Sequence, residues 1–371
     1  MKAAFLSLAI LAAFLATLCA EPPMLRVLGD FRTVPREVCL EFTEKTGIPV
    51  EVVSPNSSLH AYQLLNEPGE RFDLLALTSD VITPHLREGK LLPLDRKLIP
   101  YASEKLPEWI SQKGERRKFV VPLDAGTMGL LVHRHTPQAP VTGYESLFRS
   151  PRPGGVAVLV EQRDFLAAAL LSLGAAPGDH RSSNLRASKI LLLDWLKNTA
   201  AESLDLWVKP LRGGYDKLLG QLAEGRHAAA IVYSGDAISL MDARPGCYEW
   251  VIPEEGTFKF VTELAIPRSS PRSAEAHRFM NHLLSPASTA LLASIAAPGV
   301  PVQLRSASPV PGWVFGIAAS EPSAALFNAT PMQTDILQED PPLVLRFLQS
   351  LPAPSAAPLK DPPACARPSS Q

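Results

Sequence analysis

Lys118-Phe119-Val120-Val121-Pro122 and Met128-Gly129-Leu130-Leu131-Val132-His133 bracket the small, polar stretch Leu123-Asp124-Ala125-Gly126-Thr127. The second run is dense enough in branched and apolar residues to be a buried strand, and it carries the chain out of one α/β unit into another. Phe258-Lys259-Phe260-Val261-Thr262-Glu263-Leu264-Ala265-Ile266, bounded by Gly256 and Pro267, reads as the return strand. Two crossings predict a hinged pair of lobes rather than independent modules. A ligand would then sit between them, at the carboxyl ends of sheet strands.

On the amino-terminal side of the first crossing, strand-like and helix-like stretches alternate. Leu25–Leu28 is a strand candidate, and Thr33 is placed to cap a helix with Pro35 in its first turn and Val38, Cys39 and Phe42 on one face. Gly47 ends that helix and Ile48–Val53 restarts as a strand. A helix at His60–Leu65, a strand at Phe72–Leu77 and a helix near Pro84–Glu88 follow. Between the crossings come a strand at Gly155–Val160, a helix over Phe165–Leu173, helices at Lys189–Asn198 and Asp216–Glu224 around a strand at Asp205–Val208, a buried strand at Ala228–Tyr233 and a helix from Gly235. After the return strand, Ser273–Leu284 and Ser288–Ile295 read as helices. This alternation argues for parallel sheet covered by helices, because parallel strands need a crossover across a sheet face.

The expected organisation is a first α/β lobe from 24–122 plus about 258–310. The second lobe spans 123–257, with helices in 320–350 as a candidate addition, and 351–371, rich in Pro, Ala and Ser, is a disordered tail. Residues 1–20 read as an export signal: Lys2, then an apolar Ala3–Leu18, then Leu18-Cys19-Ala20 as a cleavage site. A lipid anchor at Cys19 is the rival reading, against which Ala16-Thr17-Leu18 fits poorly. Such a leader places the working protein outside the cytoplasm; a periplasmic, monomeric mature form is expected. The formal charge of −1 offers no basic excess for nucleic acid. The remaining cysteines, Cys39, Cys247 and Cys365, lack metal-site spacing. An oxidising compartment permits a Cys39–Cys247 bridge, and a buried free Cys39 is the alternative. The eight histidines form no short metal motif. Ser234-Gly235 lacks the G-x-S-x-G of a nucleophile elbow, so neither a cofactor nor catalysis is expected.

Several short blocks in fixed order resemble the bacterial extracytoplasmic polyamine-binding proteins of spermidine/putrescine transport. They are Phe42-Thr43-Glu44-Lys45-Thr46-Gly47-Ile48, Phe72-Asp73-Leu74, Leu92-Pro93-Leu94-Asp95, Gly126-Thr127-Met128-Gly129, Tyr233-Ser234-Gly235-Asp236-Ala237, Ile252-Pro253-Glu254-Glu255-Gly256-Thr257, Leu264-Ala265-Ile266-Pro267 and Phe279-Met280-Asn281-His282-Leu283-Leu284-Ser285-Pro286. The resemblance covers roughly residues 25–303 and implies a two-lobed periplasmic-binding-protein fold of type II. It also implies capture of a linear polyamine, putrescine or spermidine, for delivery to an ABC-transporter permease. Carboxylates would bind the amines and aromatic faces would flank the carbon chain.

Carried over position by position, the resemblance places ligand contacts at Asp30, Thr33, Thr78, Ser79, Asp80, Glu161, Asp164, Tyr233, Asp236, Phe260 and Thr262. The resulting site is richer in acids than in rings, which weakens the case for a long methylene chain. Each position also has a structural reading. Asp30 and Asp80 sit where strand–loop junctions end, and Thr78 and Ser79 where a helix would be capped. Glu161, Asp164 and Asp236 sit where helix starts favour negative charge, and Tyr233 and Phe260 where strands need core residues. Another small organic solute, and a secreted adaptor that has lost ligand binding, stay open as alternatives.

Overall fold

The computed structural model describes residues 24–102, 114–135, 140–150, 155–179, 181–198, 201–202, 214–296 and 314–315. Segment 1–20, the strand expected at Asp205–Val208, the helices expected in 320–350 and the tail 351–371 lie outside them. Among the described residues no helix is long and apolar enough to cross a membrane.

The first lobe opens with β1 (Leu25–Gly29), α1 (Arg36–Thr46), β2 (Val50–Val53), α2 (Ser58–Asn66), β3 (Leu74–Thr78) and α3 (Ser79–Arg87). Strand β1 pairs in parallel with β2 and β3, as expected of crossover connections. The long strand β4 (Val120–His133) then leaves, and β9 (Lys259–Ala265) returns between β3 and β4, antiparallel to both. Helices α9 (Ser273–Leu283) and α10 (Pro286–Ala296) complete this half, and β10 (Val314–Phe315) lies beside β4 at Asp124 and Ala125. The second lobe holds α4 (Tyr144–Arg149), β5 (Val156–Val158), α5 (Gln162–Ser172), α6 (Ser182–Asn198), β6 (Ala201–Glu202), α7 (Gly214–Ala223), β7 (Ala229–Tyr233), α8 (Ser234–Ala243) and β8 (Tyr248–Val251). Its strand β7 runs antiparallel to β4 and parallel to β5.

Both sheets are buried on two faces, which explains their near-continuous apolar strands. In the first lobe, Val27 and Leu74 pack with Val38, Phe42 and Phe279 on one side, while Leu28 and Leu75 pack with Ile82 on the other. In the second, Leu130 and Ile231 face Phe165 and Trp195, while Leu131 and Val232 face Leu222 and Leu240.

Four local expectations are corrected. The segment Leu123–Thr127 does not interrupt the crossing: β4 is one strand of 14 residues, and a register shift between Pro122 and Asp124 absorbs the proline, which has no N–H to donate. Helix α1 starts at Arg36 behind Pro35, with no side-chain cap from Thr33; the Thr33 N–H instead closes a turn onto the Asp30 carbonyl. Helix α3 begins directly after β3 and contains Pro84 rather than starting near it. Cys39 is a free, buried thiol in the first-lobe core, whereas Cys247 lies in a second-lobe core and is disulfide-bonded. The two belong to separate cores, so they do not bridge. Strand β8 was not anticipated from sequence; it pairs with β4 from Leu130 to His133.

Candidate functional site

Three strand-to-helix junctions meet at the seam between the lobes. Thr78 ends β3 and leads straight into α3, whose first turn carries Asp80. Tyr233 ends β7 and leads straight into α8, whose first turn carries Asp236. Glu161 precedes α5, and Asp164 lies in its first turn. The free amide groups of a helix start favour negative charge, so each junction is a favourable place for a carboxylate.

Polar links from the two lobes cross this seam. The Glu161 carboxylate accepts from the Ser58 N–H at 3.2 Å and from the Ser58 hydroxyl at 2.9 Å, so an acid of the second lobe caps a helix of the first. Arg163 donates to the Asp80 carboxylate across the seam and to the Ser58 hydroxyl at 2.8 Å, with Glu161 and Asp164 oxygens each 3.5 Å from its guanidinium. Arg32 reaches from the first lobe to Asp236 at 3.1 Å. Three carboxylates around Arg163 hold its proton more tightly than usual even though burial opposes the charge.

The predicted contacts divide into groups. Asp80, Glu161 and Asp164 gather around Arg163, and the Tyr233 hydroxyl donates to Asp164 while accepting from the Glu161 N–H at 3.1 Å. Burial and the nearby Asp164 and Glu161 carboxylates push the Tyr233 phenol well above its ordinary value, so it stays protonated. Phe260 packs edge-on against Tyr233 with ring centroids 5.1 Å apart. Opposite Phe260 on β4 stands Gly126, where an added Cβ would fall 2.6 Å from the phenyl ring; only glycine lets the ring lie across the crossing strand.

Asp236 lies with Arg32, and the half-exposed Asp30 accepts from the Arg32 N–H at 2.7 Å. Thr262 is buried and faces Asp124 in the β4–β9 register. The Thr78 hydroxyl lies 3.3 Å from that of Ser58, at the edge of the Arg163 group. The Ser79 hydroxyl turns inward instead, donating to the Val261 carbonyl at 3.0 Å, with 1% of the residue exposed. Thr33 stays in the turn after Asp30.

Four residues that sequence reasoning passed over stand in this seam: Ser58, Arg163, Arg32 and Asp124. Asp124 lies on the crossing strand near Arg32 and Asp30; burial raises its carboxyl above the usual range, against the pull of the Thr262 hydroxyl and of Arg32. One of its oxygens is buried without a hydrogen-bond partner, as is one oxygen of Asp80. The stretch Glu161-Gln162-Arg163-Asp164 shows its central cation plainly, but nothing local says that Arg163 would turn to an acid of the other lobe. No group of three or more potential metal ligands occurs among the described residues.

The profile of the bacterial extracellular solute-binding protein family matches residues 37–313. Spermidine/putrescine-binding periplasmic protein 1 of Haemophilus influenzae is 25% identical over 308 residues, 82% of each chain. Putrescine-binding periplasmic protein SpuD of Pseudomonas aeruginosa is 25% identical over 269 residues, covering 66% of this chain and 69% of its own. Among solved structures, the TpPotD lipoprotein of Treponema pallidum superposes with a TM-score of 0.64 at 17% identity, over 88% of this chain and 97% of that one. The spermidine/putrescine substrate-binding protein PotD of Streptococcus pneumoniae does so with a TM-score of 0.57 at 21% identity, over 76% and 84%. By the span of the family match and by its two sheets joined through β4 and β9, this chain belongs to the bacterial extracellular solute-binding proteins and has their type II periplasmic binding fold.

Proposed function

We propose that this protein captures a small cationic amine of the putrescine/spermidine kind outside the cytoplasm and presents it to an ABC-transporter permease, without catalysis. The observation that carries this reading is the charge of the seam. Asp30, Asp80, Asp124, Glu161, Asp164 and Asp236 come from both lobes and the crossing strand, and they stand about the guanidinium groups of Arg32 and Arg163. Burying several carboxylates together is costly, and a further cation entering the seam offsets that cost and favours closure of the lobes. Contacts from both walls exist only when the lobes close, and ligand therefore shifts the population toward closure. Tyr233 and Phe260 supply the apolar side of the contact. The names of the curated relatives, which concern spermidine and putrescine, support the same ligand class.

A thermal-shift panel of amines and neutral or anionic solutes, followed by calorimetry on the folded mature chain, tests the reading. Stabilisation confined to cationic amines is expected, with a shift that grows with ligand concentration. Stabilisation by anions alone would overturn it. The adaptor reading draws on Arg163, which already lies across the acid cluster; a flat response to the whole panel would favour it.

A further inference from the structure

The polar links across the seam have groups of the protein at both ends, and they run in both directions. From the second lobe, Arg163 donates to the Asp80 carboxylate of the first and, at 2.8 Å, to the Ser58 hydroxyl. Glu161, also of the second lobe, accepts from that hydroxyl at 2.9 Å and from the Ser58 N–H at 3.2 Å. This N–H lies in the first turn of α2, where its own helix offers no carbonyl to receive it. From the first lobe, Arg32 reaches Asp236 of the second at 3.1 Å. The contacts tie α2, α3 and the turn after β1 to the starts of α5 and α8. A rotation about β4 and β9 that parts the lobes breaks them together.

We propose that these contacts form a two-way clasp that closes the lobes without ligand, so that the closed form predominates in the solute-free protein. The inference concerns closure and does not depend on which solute the seam takes. Parting the lobes returns each ion to water, which on its own is favourable for a buried pair. Ser58 tips the balance toward closure, because its hydroxyl receives Arg163 and donates to Glu161 while its N–H gains an acceptor. The two arginines contribute unequally. The Arg163 and Asp80 side chains are 15% and 3% exposed, against 54% and 10% for Arg32 and Asp236, so water and salt screen the second pair more. One oxygen of Asp80 and one of Asp124 remain without hydrogen-bond partners, so a ligand cation adds to the closed form without displacing the clasp. Ligand then completes a closure that the chain already favours.

Double electron–electron resonance on the full mature chain tests the clasp, with spin labels on Glu44→Cys in α1 and Lys197→Cys in α6. Both positions are exposed, and the native Cys39 thiol is buried away from the label. The protein is dialysed until native mass spectrometry finds no bound solute. It should then show mainly the interlobe distance of the present structure, and saturating putrescine should change that distribution little. Arg163→Met should lower the closed-to-open ratio about tenfold or more, the factor expected for one charge-assisted bond. Arg32→Met should lower it by no more than about fivefold, as for an exposed pair. A mainly longer distance in the solute-free wild-type protein overturns the proposal without any variant having to fold. If putrescine then shortens that distance, the amine-binding reading stands while the clasp falls. An unchanged short distance in a folded Arg163→Met/Arg32→Met protein also overturns it, since closure would then owe nothing to the arginines.

Discussion

Two buried arginine–carboxylate groups in this molecule are built on opposite principles. Arg116 meets Glu263 of the return strand with two nitrogens on two oxygens, and its remaining nitrogen donates to Thr83 at 3.0 Å. Glu263 is fully buried, and one cation answers one anion. Arg163, in the seam, is shared among Asp80, Glu161 and Asp164, and one Asp80 oxygen has no hydrogen-bond partner. The first group is balanced and closed, which suits a strut beneath a crossing strand. The second sets three acids about one guanidinium and leaves an unmet acceptor, a group that is not closed on itself. Charge balance, more than burial, separates the two groups.

The comparison breaks most visibly at the strut. Glu263→Ala leaves Arg116 without its partner, and breaking a buried pair costs about 3–5 kcal/mol. Since the Arg116 side chain is 20% exposed, the low end of that range is expected in urea unfolding. A loss under about 1 kcal/mol would show that water already screens the pair. Replacing both residues by Met and Leu should recover most of the loss.

At the seam the effect falls on ligand rather than on fold. Asp236→Asn should weaken a cationic amine by roughly ten- to a hundredfold, as expected for a charge-assisted bond of about 1.5–3 kcal/mol. Equal affinities of the two folded proteins by calorimetry would remove Asp236 from the site.

A smaller, pH-dependent contrast belongs to Asp124. Its folded-state carboxyl is raised by burial above an unfolded value near 3.9. Below that value both states are protonated and the residue costs nothing. As pH rises the unfolded chain releases its proton first, so the wild-type fold loses stability until the folded carboxyl ionises too. Asp124→Asn should therefore match wild type in Tm near pH 3.5 and exceed it as pH rises above the unfolded value, the gap levelling off once the folded carboxyl ionises; a constant gap would mean that burial does not shift Asp124. The least effect is expected at Cys39, whose thiol burial pushes up to about 11. It should resist iodoacetamide at pH 8 in the native protein and react once the chain is unfolded, and rapid native labelling would contradict its place in the core.

The alternation of apolar strands with capped helices was legible because each signal is local. Gly47 closes α1 in a left-handed conformation with φ 71°, and the runs at Ala229–Tyr233 and Lys259–Ala265 are apolar enough to be buried wherever they fall. The acids at helix starts were legible for the same reason. The short strand Tyr248–Val251 escaped notice because four residues carry too little pattern to stand out, and Leu123–Thr127 looked like an interruption because a strand bulge and a loop share the same small and polar residues.

By itself, then, the chain determined its elements, its two crossings and the acidic character of its seam, since periodicity and helix-start chemistry act over a few residues. Which acid meets which cation was decided only by tertiary structure. Arg163 and Asp80 lie 83 positions apart and Arg32 and Asp236 204 apart, and each pair exists because two lobes, folded around separate cores, face each other across β4 and β9. Coulomb attraction and hydrogen bonding depend on distance in space, and no pattern along the chain encodes that distance.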